Sequence, residues 1–150
     1  GMIKHGSKMI QAVSNVQVTK ISLYIGASFG AGNYGMCGYA YEPDFLFAWP
    51  NATTGVMGGE QAALTMEYVM INSARRRGKE VDRAVLKAQK NAIIEHYDRQ
   101  SDAFYTSGRL LDHGIIDPRD TRKVLGFVLQ TCWESRRRTL RPNSFGIARM

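Results

Sequence analysis

Cysteine is scarce in this chain: 150 residues contain only Cys37 and Cys132. Neither has a second cysteine or a histidine at metal-ligand spacing, which excludes a disulfide scaffold and a structural zinc module. No apolar run approaches the roughly 20 residues needed to cross a bilayer. The opening GMIKHGSKMI lacks the apolar stretch and small-residue cleavage site of a secretory leader. These absences predict a protein of a reducing compartment, the cytoplasm or the matrix of an organelle, with no membrane partner and no metal. Acidic residues are also few in one region. Residues 1–71 hold three Lys/Arg and four Asp/Glu, whereas residues 72–150 hold 17 and nine, so the net charge of +7 comes from the second half. A basic half can attract phosphates or nucleic acid. No aromatic residue alternates with the triplets Arg75-Arg76-Arg77 and Arg136-Arg137-Arg138, as single-strand stacking requires. The plainer reading is a solvated or subunit-facing helical surface.

What is present fits one globular domain, with 44% hydrophobic and 22% charged residues. At this length roughly 70% of the unfolded chain's surface can be buried. The order reads α, β, glycine turn, β, β and then mostly helix. Ile3–Val16 has helix-like apolar spacing. Val18–Ile25 is rich in strand formers and ends at Gly26. Gly26 to Gly35 holds four glycines, and Met36-Cys37 is expected to start a short helix. Phe45–Trp49 and Thr53–Met57 read as strands. Gly58-Gly59 opens a helix through Ala62, Met66, Val69 and Met70, and Val81–Tyr97 forms another. Asp117-Pro118-Arg119-Asp120 has the chemistry of a helix start, with Asp117 as cap and Pro118 in the first position. Val124, Phe127, Val128 and Thr131 continue that helix. No internal repeat or low-complexity linker is visible.

Gly26 to Gly35 satisfies two short motifs at once. Gly30-Ala31-Gly32-Asn33-Tyr34-Gly35 is a literal G-x-G-x-x-G, but the next strand follows too soon for a dinucleotide crossover and ends without a ribose-binding carboxylate. Gly26-Ala27-Ser28-Phe29-Gly30 is a literal G-x-S-x-G, followed by Asp102 or Asp112 and then His113 in hydrolase order. No oxyanion loop precedes it, and Ser28 is expected to pack locally. A third reading uses main-chain N–H groups alone. Small residues let an oxygen approach the backbone, a helix start adds oriented dipoles, and each such donor lowers a barrier by roughly 3–4 kcal/mol. A tight turn with no chemistry remains the alternative at this point.

Beyond the turn, KHGSKMIQAV, ISLYIGASFGAGNYGMCGYAY, FLFAWPNATTGVMGGEQAA, FYTSGRLLDHGIIDPRDTRKVLGF and SFGIARM together resemble the C-terminal half of carboxyltransferase β subunits of biotin-dependent acyl-CoA carboxylases. Within that family the likeness is to the methylcrotonoyl-CoA and geranyl-CoA branch, and Met70–Arg99 departs most. The resemblance implies an α/β fold, the crotonase-like β-β-α superhelix, as a partial C-terminal domain with a helix-rich end. Residues 1–150 would then form the C-terminal part of that domain, with the N-terminal domain absent. It implies transfer of CO2 from carboxybiotin on a carrier protein to an acyl-CoA, with the biotin enolate acting as base. It places the oxyanion-stabilising amides at Ala31 and Gly32, close approach at Gly30, and Phe29 and Tyr34 beside the pocket. Gly58 and Gly59 fall at a second glycine-rich helix start, on the biotin side. Implied partners are the biotin carboxylase and biotin carrier subunit, further β subunits in a homo-oligomer, and acyl-CoA, with no nucleic acid. Lacking the preceding strands, the chain is expected to have an open sheet edge, to oligomerise or cover that edge, and to be inactive alone. His5, Lys8, His96, His113 and both cysteines are expected to be structural or surface groups. The rival expectation is a non-catalytic basic assembly or nucleic-acid-binding module.

Overall fold

A computed structural model describes residues 1–78, 80, 82–140, 142 and 146. Val81, the expected start of a helix, and the SFGIARM ending apart from Gly146 lie outside the described residues. The chain divides into two compact units, Gly1–Pro118 and Arg119–Met150.

In the first unit, α1 (Met2–Asn15) is followed by β1 (Ile21–Tyr24), β2 (Ala27–Phe29) and α2 (Gly30–Gly35). Next come β3 (Phe45–Ala48), β4 (Thr53–Gly55) and α3 (Gly59–Arg76), then α4 (Arg83–Ser101) and α5 (Ala103–Gly108). Two successive β-β-α units are therefore present. They stack in parallel: Ile21 to Tyr24 pair with Phe45 to Ala48, and Ala27 to Phe29 pair with Thr53 to Gly55. Each unit lends one strand to each of two two-stranded sheets. This is the β-β-α succession that the resemblance implied.

The glycine-rich segment differs from its expected form. The extended run breaks after Tyr24, Ala27-Ser28-Phe29 forms a separate strand, and the helix begins at Gly30 rather than at Met36. Met36 instead ends it, and Cys37 takes a left-handed φ of 60°. Three glycines in six residues give this helix poor intrinsic propensity. Its stability therefore comes from the contacts it makes. Met9 of α1 lies over Gly35, where a β-carbon would stand 2.7 Å from the Met9 methyl.

The core is small and centres on Tyr24, Leu46, Ala48, Ala52 and Ala103, with Ile115 against it. Among the described residues no strand covers the outer edges of β1 and β2. The outer edge of β3 is met by residues 113–116. His113 and Leu46 exchange main-chain N–H to oxygen and N–H to imidazole Nδ1 bonds of 2.8 and 2.9 Å, while Ala48 bonds Gly114 and Ile116. His113 is thus structural, as expected, and a loop supplies part of the missing pairing.

Helix α3 buries Gly59, Ala62 and Ala63, but Met66 and Val69 of the same run are exposed. Asp82 caps α4 through Ala84 N–H, and Asp102 caps α5 through Phe104 and Tyr105 N–H. The Asp117–Pro118 start resolves into a 3-10 turn, Pro118–Asp120, and the second unit continues into α6 (Thr121–Arg137). Proline's fixed φ suits such a tight first turn, which is common at helix starts. Both arginine triplets occupy equivalent places: the last turn and cap of α3, and the last turn and cap of α6. Cations are favoured there by the helix dipole. Arg137 also lies 5.6 Å over the Trp133 ring, a contact not foreseen from the sequence.

Candidate functional site

Register places the two helix starts together. Phe29, the last residue of β2, pairs with Gly55, the last of β4. Both parallel strands therefore end at one edge. Gly30 enters α2 directly, and Val56 to Gly58 lead into α3. Gly30 has φ +54°, and a β-carbon there would sit 2.9 Å from the Val56 carbonyl oxygen. Only glycine meets both demands without strain. Ala31 and Gly32 follow in the first turn, where amides have no intrahelical acceptor, and both residues are exposed. No side chain caps this turn.

Behind that turn lies a buried polar cluster. Asn33 is buried, and its Nδ2 donates to Tyr24 Oη at 2.9 Å, Ser28 Oγ at 3.1 Å and Thr54 Oγ1 at 3.1 Å. Thr54 Oγ1 in turn donates to the Ser28 carbonyl, and Tyr39 N–H donates to Tyr24 Oη. One side chain thus ties α2 to β1, β2 and β4. Gly38 is needed beside it, because a β-carbon there would overlap the Asn33 side chain. Burial pushes the Tyr24 phenol above its ordinary value of 10.0, against the opposing hydrogen bonds from Asn33 and Tyr39. Asn33, Tyr24, Gly38 and Val56 were not singled out by the sequence. The available signal was an asparagine among small residues in the glycine-rich turn, a residue type whose side chain readily bonds nearby groups.

Phe29 packs with its ring against Gly55, while Tyr34 is exposed and meets Tyr41 edge-on at 5.8 Å. Gly58 precedes α3, and Gly59 is buried where a β-carbon would press on Asp98 Oδ1 at 2.8 Å and the Ile94 carbonyl at 3.0 Å. Gly59 is thus the close-packing point of α3 on α4. Beside the end of β4 opens a cleft of about 400 Å³ whose lining includes Val56, Met57, His96, Tyr97 and Tyr105. Ala31 and Gly32 face outward rather than into this cleft's wall.

The hydrolase pattern does not assemble. Ser28 Oγ accepts from Asn33, Asp102 caps α5, Asp112 accepts from Gly114 N–H, and His113 is bonded to Leu46. The dinucleotide pattern also fails, since its six residues are themselves the short helix α2 and no α-helix lies between that motif and β3. Among the described residues no group of three His, Cys, Asp or Glu side chains is placed to hold a metal. No helix among them is long and apolar enough to cross a membrane.

The carboxyl transferase domain model matches residues 1–146. The chain belongs to the carboxyl transferase family. A probable biotin-dependent acyl-coenzyme A carboxylase beta2 subunit of Mycobacterium tuberculosis is 54% identical over 129 residues, covering 86% of this chain and 24% of that protein. The mitochondrial methylcrotonoyl-CoA carboxylase beta chain of Arabidopsis thaliana is 45% identical over 150 residues, covering the whole chain and 25% of the relative. The crystal structure of the P. aeruginosa geranyl-CoA carboxylase beta subunit superposes with a TM-score of 0.85 at 46% identity, over all of this chain and 28% of that one. The family's crotonase-like fold is therefore the fold of this chain. The chain spans about a quarter of the length of the curated relatives it matches.

Proposed function

We propose that this chain is the C-terminal part of the carboxyltransferase β subunit of a biotin-dependent acyl-CoA carboxylase. In that subunit it works on CO2 passing from carboxybiotin, held on a carrier protein, to an acyl-CoA carbon. The observation that carries the reading is the exposed first turn of α2. Its Ala31 and Gly32 amides lack intrahelical acceptors at the edge where β2 and β4 both end. Carboxybiotin supplies the carboxyl group when bound. The protein's part is electrostatic: two fixed N–H donors face an oxygen on which negative charge gathers, and they need no reorganisation as it does so. Gly30 brings that turn against the Val56 carbonyl, and Asn33 fixes it from behind. Phe29 supports the strand end, and exposed Tyr34 contributes to acyl selection beside it. Gly58 opens the second helix start on the biotin side, with Gly59 setting its distance from α4.

No Asp, Glu or Cys stands in the α2 turn. The reading therefore asks no general acid or base of this segment. The remaining site surface comes from an N-terminal domain and a further β subunit, in the cytoplasm or the mitochondrial matrix. A biotin carboxylase and carrier subunit delivers the carboxyl group. The uncovered edges of β1 and β2 suit that need for added surface. The basic-module alternative loses its main support because both arginine triplets sit at helix C-termini, where the dipole accounts for them.

Proline is tolerated in a first helical turn and has no N–H. In the complete subunit assembled with its biotin-bearing partner, Ala31→Pro should lower carboxyl transfer by roughly 10²–10³-fold, while Ala31→Gly, which keeps the donor, stays near the parent rate. Equal rates for the proline and glycine variants would overturn the assignment. The 150-residue chain alone should not decarboxylate carboxybiotin when acyl-CoA is added; robust turnover would refute the incomplete site.

A further inference from the structure

Helices α3 and α4 build a groove of their own. The space between α3 and α4 is about 740 Å³, larger than the cleft beside β4, and it is lined along its length by both helices. From α3 come Glu67, Ile71 and Arg75, each four residues apart and so in one row. From α4 come Arg83, Leu86, Lys87 and Lys90, at spacings of three and four along the facing row. Lys90 pairs with Glu67 at 3.1 Å, and this is the ion pair found among the described residues. Arg75, Arg83 and Lys87 have no carboxylate partner among those residues. Ile71 and Leu86 lie between the cations, and Ile71 is 42% exposed. The result is an apolar floor with unneutralised positive rims, running about 12 Å, or two helical turns.

This form favours one kind of occupant. A small phosphate is held by groups converging on a point, commonly including main-chain N–H donors. Here the cations are drawn out along two helices with side chains of Ile71 and Leu86 between them. A second copy of the chain is a poor fit on charge, since each carries +7. Its own amphipathic helices do not supply the missing sign. Helix α1 contains no acidic residue, and α6 contains only Glu134, which accepts from Gln130. We propose that the α3–α4 groove docks an acidic amphipathic helix of a partner protein, seating apolar residues of that helix on Ile71 and Leu86 and its carboxylates on Arg75, Arg83 and Lys87. Charge complementarity then sets orientation and partner choice, and the apolar floor holds the complex. This inference does not depend on the carboxyl-transfer reading.

The test uses the 150-residue chain and a fluorescent helical peptide of about four turns, with leucines along one face and glutamates on both flanks. Anisotropy should show saturable binding that weakens about tenfold when Arg83→Glu and Lys87→Glu are combined, and more steeply as salt rises. A peptide with lysines in place of the glutamates should bind the doubly substituted protein better than the parent. That rescue separates lost docking from lost folding, and circular dichroism should be unchanged because both side chains are exposed. No saturable binding overturns the proposal. So does equal binding of a scrambled peptide of the same composition, or displacement by millimolar inorganic phosphate. Binding of phosphatidylserine vesicles in preference to the peptide, lost with the same substitutions, would instead make this a membrane-facing surface.

Discussion

The strand–helix corner around Asn33 and the α3–α4 hairpin hold their shape by opposite means. The corner contains a helix with three glycines and strands of three and four residues, none of which would form in isolation. Its order rests on one amide group serving three hydroxyls and on glycines that let backbones touch. The hairpin contains long helices made of good helix formers, yet it buries little beyond Gly59, Ala62, Ala63 and Ser101. It relies on propensity, an Asp82 cap and a surface ion pair. The lesson is that the poorest local sequence is given the most exact tertiary support, and that is where the proposed chemistry needs fixed amides. The better local sequence keeps an open surface, where a partner can be accommodated.

This contrast can be broken experimentally, starting with its largest expected effect. Asn33→Leu removes the donor shared by Tyr24, Ser28 and Thr54 and should cost roughly 3 kcal/mol or more in urea unfolding, because buried groups left unpaired cost about 1–3 kcal/mol each. A loss under about 1 kcal/mol would show that the cluster does not hold the corner. Gly30→Ala forces a left-handed residue against the Val56 carbonyl and should cost about 2 kcal/mol. Tyr24→Phe should cost about 1 kcal/mol near neutrality. It also carries a pH signature. The folded phenol titrates above 10.0, so the stability linked to its neutral form is intact below that pH and is lost as pH climbs from 10.0 towards the folded value. The parent should therefore weaken faster than Tyr24→Phe in alkali, and parallel curves would refute the linkage. Smallest of all, Glu67→Gln should change stability by no more than about 0.5 kcal/mol, since its partner is about one-third exposed. A larger loss would mean that the hairpin is organised by charge after all.

Much of the outline was legible in the chain. Phe45–Ala48 is aromatic and aliphatic throughout, α1 follows its apolar period, and Gly58-Gly59 marks the start of α3. β2 was hidden because three residues between glycines give no alternation to read. Helix α2 was displaced by six residues because propensity argues against a helix through Gly30, Gly32 and Gly35; tertiary contacts reversed that preference. Helix α5 was missed because its six residues, Ala103–Gly108, are too few to display an apolar period. As for the site, the motif positions of Ala31 and Gly32 were readable, whereas the parts that hold them were not. Asn33 shares its two hydrogens among partners five to 21 residues away, and such a set leaves no local spacing.

The parallel stacking of the two β-β-α units carries a consequence for how the polypeptide reaches its shape. Neither sheet contains a hairpin: Ile21 waits for Phe45 and Ala27 for Thr53, so no strand has a partner until a loop of some two dozen residues has closed. That closure is entropically unfavourable before any ladder bond is made, whereas α3 and α4 are neighbours in sequence. During synthesis β1 and β2 stay unzipped until residues 45–55 have emerged, with both of their edges available to other chains, and all four strands leave the ribosome before α3 and α4 do.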